Sequence, residues 1–215
     1  MATQVLPWSN LHWHEVPMPD ANAGVRLAAL QPAGADQFLA MVQFPPGWQR
    51  LRDGHYTVDE EFFVLSGDLR INSQRWCDQQ HGFVPANTLR TETRSVGGCT
   101  AYARFHGRPR WIRGDAAHSP VHTTTHIADW RCIAPKTCAT QIAARLLHTG
   151  LATSTWMLEI APSQSLSIRV DATDALDLNT RTHFQGRLPA EHPSPAGPVL
   201  LHRVTAAADA ATPCI

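Results

Sequence analysis

The chain is poor in the features that assign a protein to a class at sight. No apolar run approaches the roughly 20 residues that a membrane helix requires, and the start, MATQVLPWSNLHWHE, has no basic stretch leading into an apolar one, so no secretory signal is expected. Net charge is absent too, with 18 basic and 18 acidic side chains. Neither nucleic acid nor an anionic membrane is therefore expected as a partner on electrostatic grounds. Lysine is nearly missing: Lys136 is the only one. Five cysteines, Cys77, Cys99, Cys132, Cys138 and Cys214, form an odd set without a CxxC pair. Such a set argues against a disulfide framework and against a zinc ribbon, and fits a reducing cytoplasm. There is no Gly-rich phosphate loop, no Gly-x-Ser-x-Gly elbow and no HExxH.

What is present is a series of short strands. Sixteen prolines and thirteen glycines punctuate runs such as 25–30, 38–44, 60–65 and 100–105. That rhythm predicts an all-β sandwich or barrel. Ser66-Gly67-Asp68-Leu69 reads as the turn of a hairpin. At 215 residues there is room for two domains of about a hundred residues each. A weak duplication supports that division. Residues 27–34 and 41–46 align without a gap on residues 143–150 and 157–162, setting Leu30 against Leu146. The reading is an N-terminal barrel over 1–110, a Pro-, Gly-, Thr- and His-rich linker over 111–126, and a C-terminal barrel over 127–215.

The informative stretch is Gly47-Trp-Gln-Arg-Leu-Arg-Asp53-Gly-His55-Tyr-Thr-Val-Asp-Glu60, which runs on to Gly67. On a strand Glu60, Phe62 and Val64 share one face, and so do Asp53 and His55. An ionised carboxylate on a buried face is costly unless it is paired or bound to a cation. One imidazole and two carboxylates compose a plausible site for Fe(II), Mn(II), Ni(II) or Zn(II).

This stretch resembles the first motif of the cupin superfamily, a Gly followed by His-x-His, then Glu, then a turn Gly; Asp53 stands where the family has its first histidine. Downstream, Gly82-Phe-Val-Pro85-Ala-Asn87-Thr-Leu-Arg90 resembles the second motif, with Arg90 replacing the ligand histidine. The ending Gly97–Phe105 is similar to the cupin domain of ChrR-type anti-sigma factors and their dioxygenase relatives. The resemblance implies two tandem cupin-type jelly-roll barrels, a bicupin. It implies a small-molecule ligand in the first barrel and a homodimer formed through sheet edges.

Two functions follow, and the sequence leaves the choice open, including whether the protein is an enzyme. In one, a metal-dependent oxygenase holds its ion on His55, Glu60 and Asp53. Asp53 is then a third ligand or a base, Arg90 anchors an anionic substrate, and Trp48 and Tyr56 line the mouth. In the other, no metal is bound, and Arg90 neutralises the acids of a ligand-binding or regulatory, ChrR-like barrel. Glu92, two residues beyond Arg90, is a further candidate carboxylate. A complete anti-sigma factor fits less well, because the first barrel starts almost at once.

The remaining candidates are weaker. His118, His122 and His126 recur every four residues, but Pro120 and the threonines beside them oppose a helix. His12 and His14 read as an edge strand. The seven tryptophans have no basic stripe among them and read as core. The second half offers nothing equivalent to the first motif.

Overall fold

The computed structural model describes residues 4–31, 37–115, 124–127, 129–137, 142–150, 153–160, 174–178, 181–185 and 197–204. Among them there is no α-helix, only antiparallel strands and two short 3-10 turns. Among the described residues no helix is long and apolar enough to cross a membrane. The chain separates into two compact units, His12–Asp129 and Met1–Leu11 with Trp130–Ile215.

In the first unit the main sheet runs in the order Thr125–Ile127, His81–Val84, Glu60–Ile71, Cys99–Phe105, Phe38–Phe44, Val25–Gln31, His14–Val16. The twelve-residue strand Glu60–Ile71 is its hinge. Its first half pairs with Cys99–Phe105 and His81–Val84, and its second half with Gln74–Cys77 and Thr93–Ser95. Thr93–Ser95 also pairs with Trp48–Gln49, so the sheet curls back on itself. Between the two halves Leu65 is bulged out of register, and Gly67 takes φ +82° where a Cβ would meet the Gly98 carbonyl oxygen. Bulges bend a strand and sharpen its twist. The expected hairpin at Ser66–Leu69 is therefore a corner inside one continuous strand. The turn comes later, at Asn72-Ser73, where Asn72 has φ 54°.

Alternation fills the barrel. Phe62, Val64, Ala40, Val42, Ala101 and Ala103 belong to one buried apolar cluster. Trp48 and Trp76 are buried in the same cluster, and each indole N–H donates to a carbonyl, Ala23 and His81 respectively. A buried indole needs such a partner. Trp76 also meets Phe62 edge-on, ring centroids 5.2 Å apart.

Two expected boundaries differ. The 111–126 linker is not outside the first unit: Trp111–Arg113 pairs with Gly54–Tyr56, and Thr125–Ile127 pairs with His81–Val84. Residues 4–7, expected in the first barrel, pair instead with Thr182–Gln185 of the second unit.

The second unit is one antiparallel sheet in the order Gln4–Pro7, Thr182–Gln185, Asp174–Asp177, Gly197–Val204, Thr153–Ile160, Ile142–Thr149, Lys136–Thr137. Its hairpin Ile142–Thr149/Thr153–Ile160 repeats a detail of Val25–Gln31/Phe38–Phe44. Each carries one bulged, buried leucine in its first strand, Leu30 in one and Leu147 in the other. The gapless alignment paired Leu30 with Leu146, so it is displaced by one residue in that strand.

Candidate functional site

The curled sheet of the first unit encloses a cavity of about 400 Å³. Its walls are apolar, from side chains such as Leu27, Phe44, Phe62 and Phe105, and its polar groups come from only a few residues. Those are Arg50, Tyr56, Glu60, Arg90 and Thr93. A mostly apolar concavity with a few convergent polar groups is the usual form of a small-molecule site.

Glu60 begins the long strand, and Arg90 is held opposite by a two-way backbone bridge with Gly54, N–H to O at 2.8 and 3.3 Å. Arg90 Nη1 donates to Glu60 Oε2 at 2.6 Å, with the two side chains 3% and 12% exposed. This is a charge-assisted bond of the strong kind. Arg90 also lies over the Tyr56 ring, 4.9 Å from its centroid, and its Nε is buried without a hydrogen-bond partner. Thr93, 6% exposed, likewise has a buried Oγ1 with no partner.

Arg50 completes the polar set. It donates from Nη2 to the Tyr56 hydroxyl at 2.6 Å and from Nη1 to the Pro19 carbonyl. Its guanidinium stacks 3.7 Å from the Trp111 ring centroid. Burial pulls the Arg50 pKa down, opposed by the neighbouring Tyr56 and Glu60. Burial pushes the Tyr56 phenol up, so it stays neutral across ordinary pH. Trp111 reaches Arg50 because Gly54 has no side chain: a Cβ there would lie 2.4 Å from the Ile112 carbonyl and 2.5 Å from the Trp111 ring. Trp111 Nε1 donates to Asp20 at 3.0 Å, and Arg113 Nε donates to the same carboxylate at 2.8 Å, fastening this strand to the 17–20 segment.

The expected metal triad is not assembled. Asp53 is exposed. His55 is buried, but it turns away from the cavity, its Nδ1 in a 2.9 Å hydrogen bond with the Gly114 carbonyl. Strand alternation explains this: it is Tyr56, not its neighbours at 53 and 55, that faces inward. Glu60 alone of the three lines the cavity, and a guanidinium already occupies it. Among the described residues no three His, Cys, Asp or Glu side chains converge on one point. The residues present do not fit a bound transition metal.

The other candidates fall as follows. Trp48 and Tyr56 line the cavity. Glu92 faces outward to Arg94 at 2.7 Å and Arg70 at 3.6 Å; Thr93 takes the inward place. His12 and His14 are exposed. His118, His122 and the side chain of His126 lie outside the described residues.

The sequence reading missed Arg50, although a signal existed: it stands two residues after Trp48 and so shares its face. It also missed a buried pair on the opposite face of the long strand, where Glu61 Oε1 meets His81 Nε2 at 2.7 Å with His106 Nε2 3.6 Å from Oε2.

No protein-family model and no curated protein matches the sequence. Solved structures do match. A protein from Nostoc punctiforme, provisionally called a dioxygenase, superposes with a TM-score of 0.77 at 15% identity, over 99% of this chain and 86% of its own. Oxalate decarboxylase from Bacillus subtilis, in a deletion-mutant form, reaches 0.54 at 8% identity, over 94% and 76%. The fold is the cupin fold. A provisionally named glyoxylate-induced protein of Pseudomonas aeruginosa adds a third cupin neighbour, with a TM-score of 0.64 at 9% identity over 95% and 89%. At these identities the likeness concerns the cupin architecture, and the chemistry rests on this chain's own residues.

Proposed function

We propose that the first unit is a metal-free cupin barrel that binds a small organic molecule, with the Arg90–Glu60 ion pair standing where other cupins hold a metal. The observation that carries this reading is the 2.6 Å contact between Arg90 Nη1 and Glu60 Oε2 at the cavity wall. A fixed guanidinium neutralises the carboxylate and supplies the positive charge that a metal ion would otherwise bring. The second unit, with its matching bulged hairpin, is read as a second and degenerate cupin barrel, making the protein a bicupin.

Metal analysis of purified protein, after incubation with Fe(II), Mn(II), Ni(II) and Zn(II) and removal of excess, tests the reading. Far less than one ion per chain supports it. Near-stoichiometric metal that is lost in Glu60→Gln overturns it.

A second reading, a metal-dependent oxygenase, draws on the provisional name of the Nostoc protein. It requires His55, Asp53 and Glu60 to converge, and the geometry above directs them to three different environments. Near-stoichiometric metal that is lost both in Glu60→Gln and in His55→Ala would favour it.

A further inference from the structure

The polar groups of the cavity do not balance. Two guanidiniums, Arg50 and Arg90, border it, and Glu60 is the only acid among its lining residues. Tyr56 cannot supply the missing negative charge, because burial keeps its phenol protonated. Asp20 lies within electrostatic reach of Arg50, but its carboxylate is taken by Arg113 and the Trp111 indole. Arg50 is held in place by hydrogen bonds and by stacking on Trp111, and these neutral partners orient it without cancelling its charge. A cation left half-desolvated without a counter-ion is costly, so the site favours an arriving anion.

The unpartnered donors agree with the charge. Arg90 is 3% exposed, yet its Nε–H has no acceptor; Thr93 is 6% exposed, yet its hydroxyl has none. Both residues line the cavity. Buried donors without acceptors are rare in folded proteins and mark a place for a ligand atom or a water. The rest of the wall is apolar, so the ligand's body must be apolar too.

Resting on the reading of the barrel as a metal-free binding site, we infer that its ligand is a monocarboxylate with a single apolar arm, gripped at its head by Arg50, Arg90 and Thr93. The carboxylate lies against the Arg50 and Arg90 guanidiniums beside Thr93, and Arg50 supplies the balancing charge from its stack on Trp111. A dianion would overcompensate the one surplus positive charge. A neutral alcohol would satisfy a hydrogen bond and leave that charge unpaired.

The test is calorimetric titration of the full chain with octanoate and 3-phenylpropanoate, beside their neutral isosteres octan-1-ol and 3-phenylpropan-1-ol. One acid bound per chain, at least tenfold tighter than its alcohol, is the expected result. Arg50→Met is expected to bring the acid-to-alcohol affinity ratio down towards one, and Arg50→Lys to keep part of it. Should Arg50→Met fail to fold, the acid-to-alcohol ratio on the wild type still decides. Alcohols binding as tightly as acids would overturn the carboxylate assignment and leave the binding barrel standing. If neither acids nor alcohols bind, both the assignment and the small-molecule reading fall.

Discussion

Arg90 and Glu60 are thirty positions apart in sequence, yet Nη1 and Oε2 meet at 2.6 Å because the Gly54–Arg90 backbone bridge sets one side chain against the head of the long strand that carries the other. Breaking a buried pair from one side leaves the partner charged and uncompensated, at a cost of about 3–5 kcal/mol. Glu60→Leu and Arg90→Met are each expected to lower the unfolding free energy, read from denaturant titration, by an amount of that order. The double variant is expected to recover most of the loss, since an apolar pair of similar volume removes both charges. Additive losses in the double variant would show that the pair does not interact.

Gly67→Ala should be among the most harmful single-methyl additions in the first unit. Its Cβ would sit 2.0 Å from the Gly98 carbonyl oxygen, and its φ of +82° suits only glycine. Backbone strain of this kind alone amounts to about 1–3 kcal/mol, before the clash is counted. Thermal unfolding compared with Gly97→Ala isolates the effect, because a Cβ at position 97 approaches only the Asp68 carboxylate, at 3.8 Å.

Cys99 is expected to resist alkylation in the native protein. Burial first, and then the nearby Asp68, push its thiol up to about 12 from 9.0. A thiol whose pKa is raised by folding contributes stability fully below its unfolded pKa and loses it as pH climbs towards the folded one, here between about 9 and about 12. At pH 8 iodoacetamide should label exposed Cys132 and spare Cys99 until the chain is unfolded. Peptide mass mapping at low and high denaturant reads both states.

Asp20 gives the opposite dependence. Arg113 chiefly, with a smaller contribution from Trp111, holds its carboxyl below the ordinary 3.8. A carboxyl with a depressed pKa stabilises the fold above its unfolded pKa and withdraws that support as pH falls through the folded value. The protection factors of the Trp111–Arg113 amides, with the intrinsic pH dependence of exchange divided out, should therefore fall as the pH drops below about 3.8. Asp20→Asn should show faster exchange at neutral pH and a flatter acid profile.

How much of this was legible in the sequence differs from residue to residue. The all-β cupin architecture was, because punctuation by Pro and Gly and the spacing from Gly47 to Gly67 are local properties. The shared face of Glu60, Phe62 and Val64 follows from period two along their strand. Asp53 and His55 obeyed the same rule but on the wrong side, since the parity of a three-residue strand is set by what it packs against. Here that is the Trp111–Arg113 strand, drawn in by a glycine at 54. Thr93, rather than Glu92, faces inward because the backbone between Arg90 and Thr93 is not regular strand. Both failures are cases where a distant segment fixes the phase of a short element, which no local pattern records.

The pairing of Gln4–Pro7 with Thr182–Gln185 ties one end of the second sheet to a strand made long before the rest of it. During synthesis that strand emerges first and has no partner until most of the chain has followed. The first unit, whose pairings all fall between residues 12 and 129, can close in the meantime. The second unit must instead close the longest loop among the described pairings before its edge is covered, and long-range pairing of that kind is slow and leaves a strand edge open meanwhile. Vectorial folding would thus deliver the cavity of the first unit early and the edge of the second sheet late.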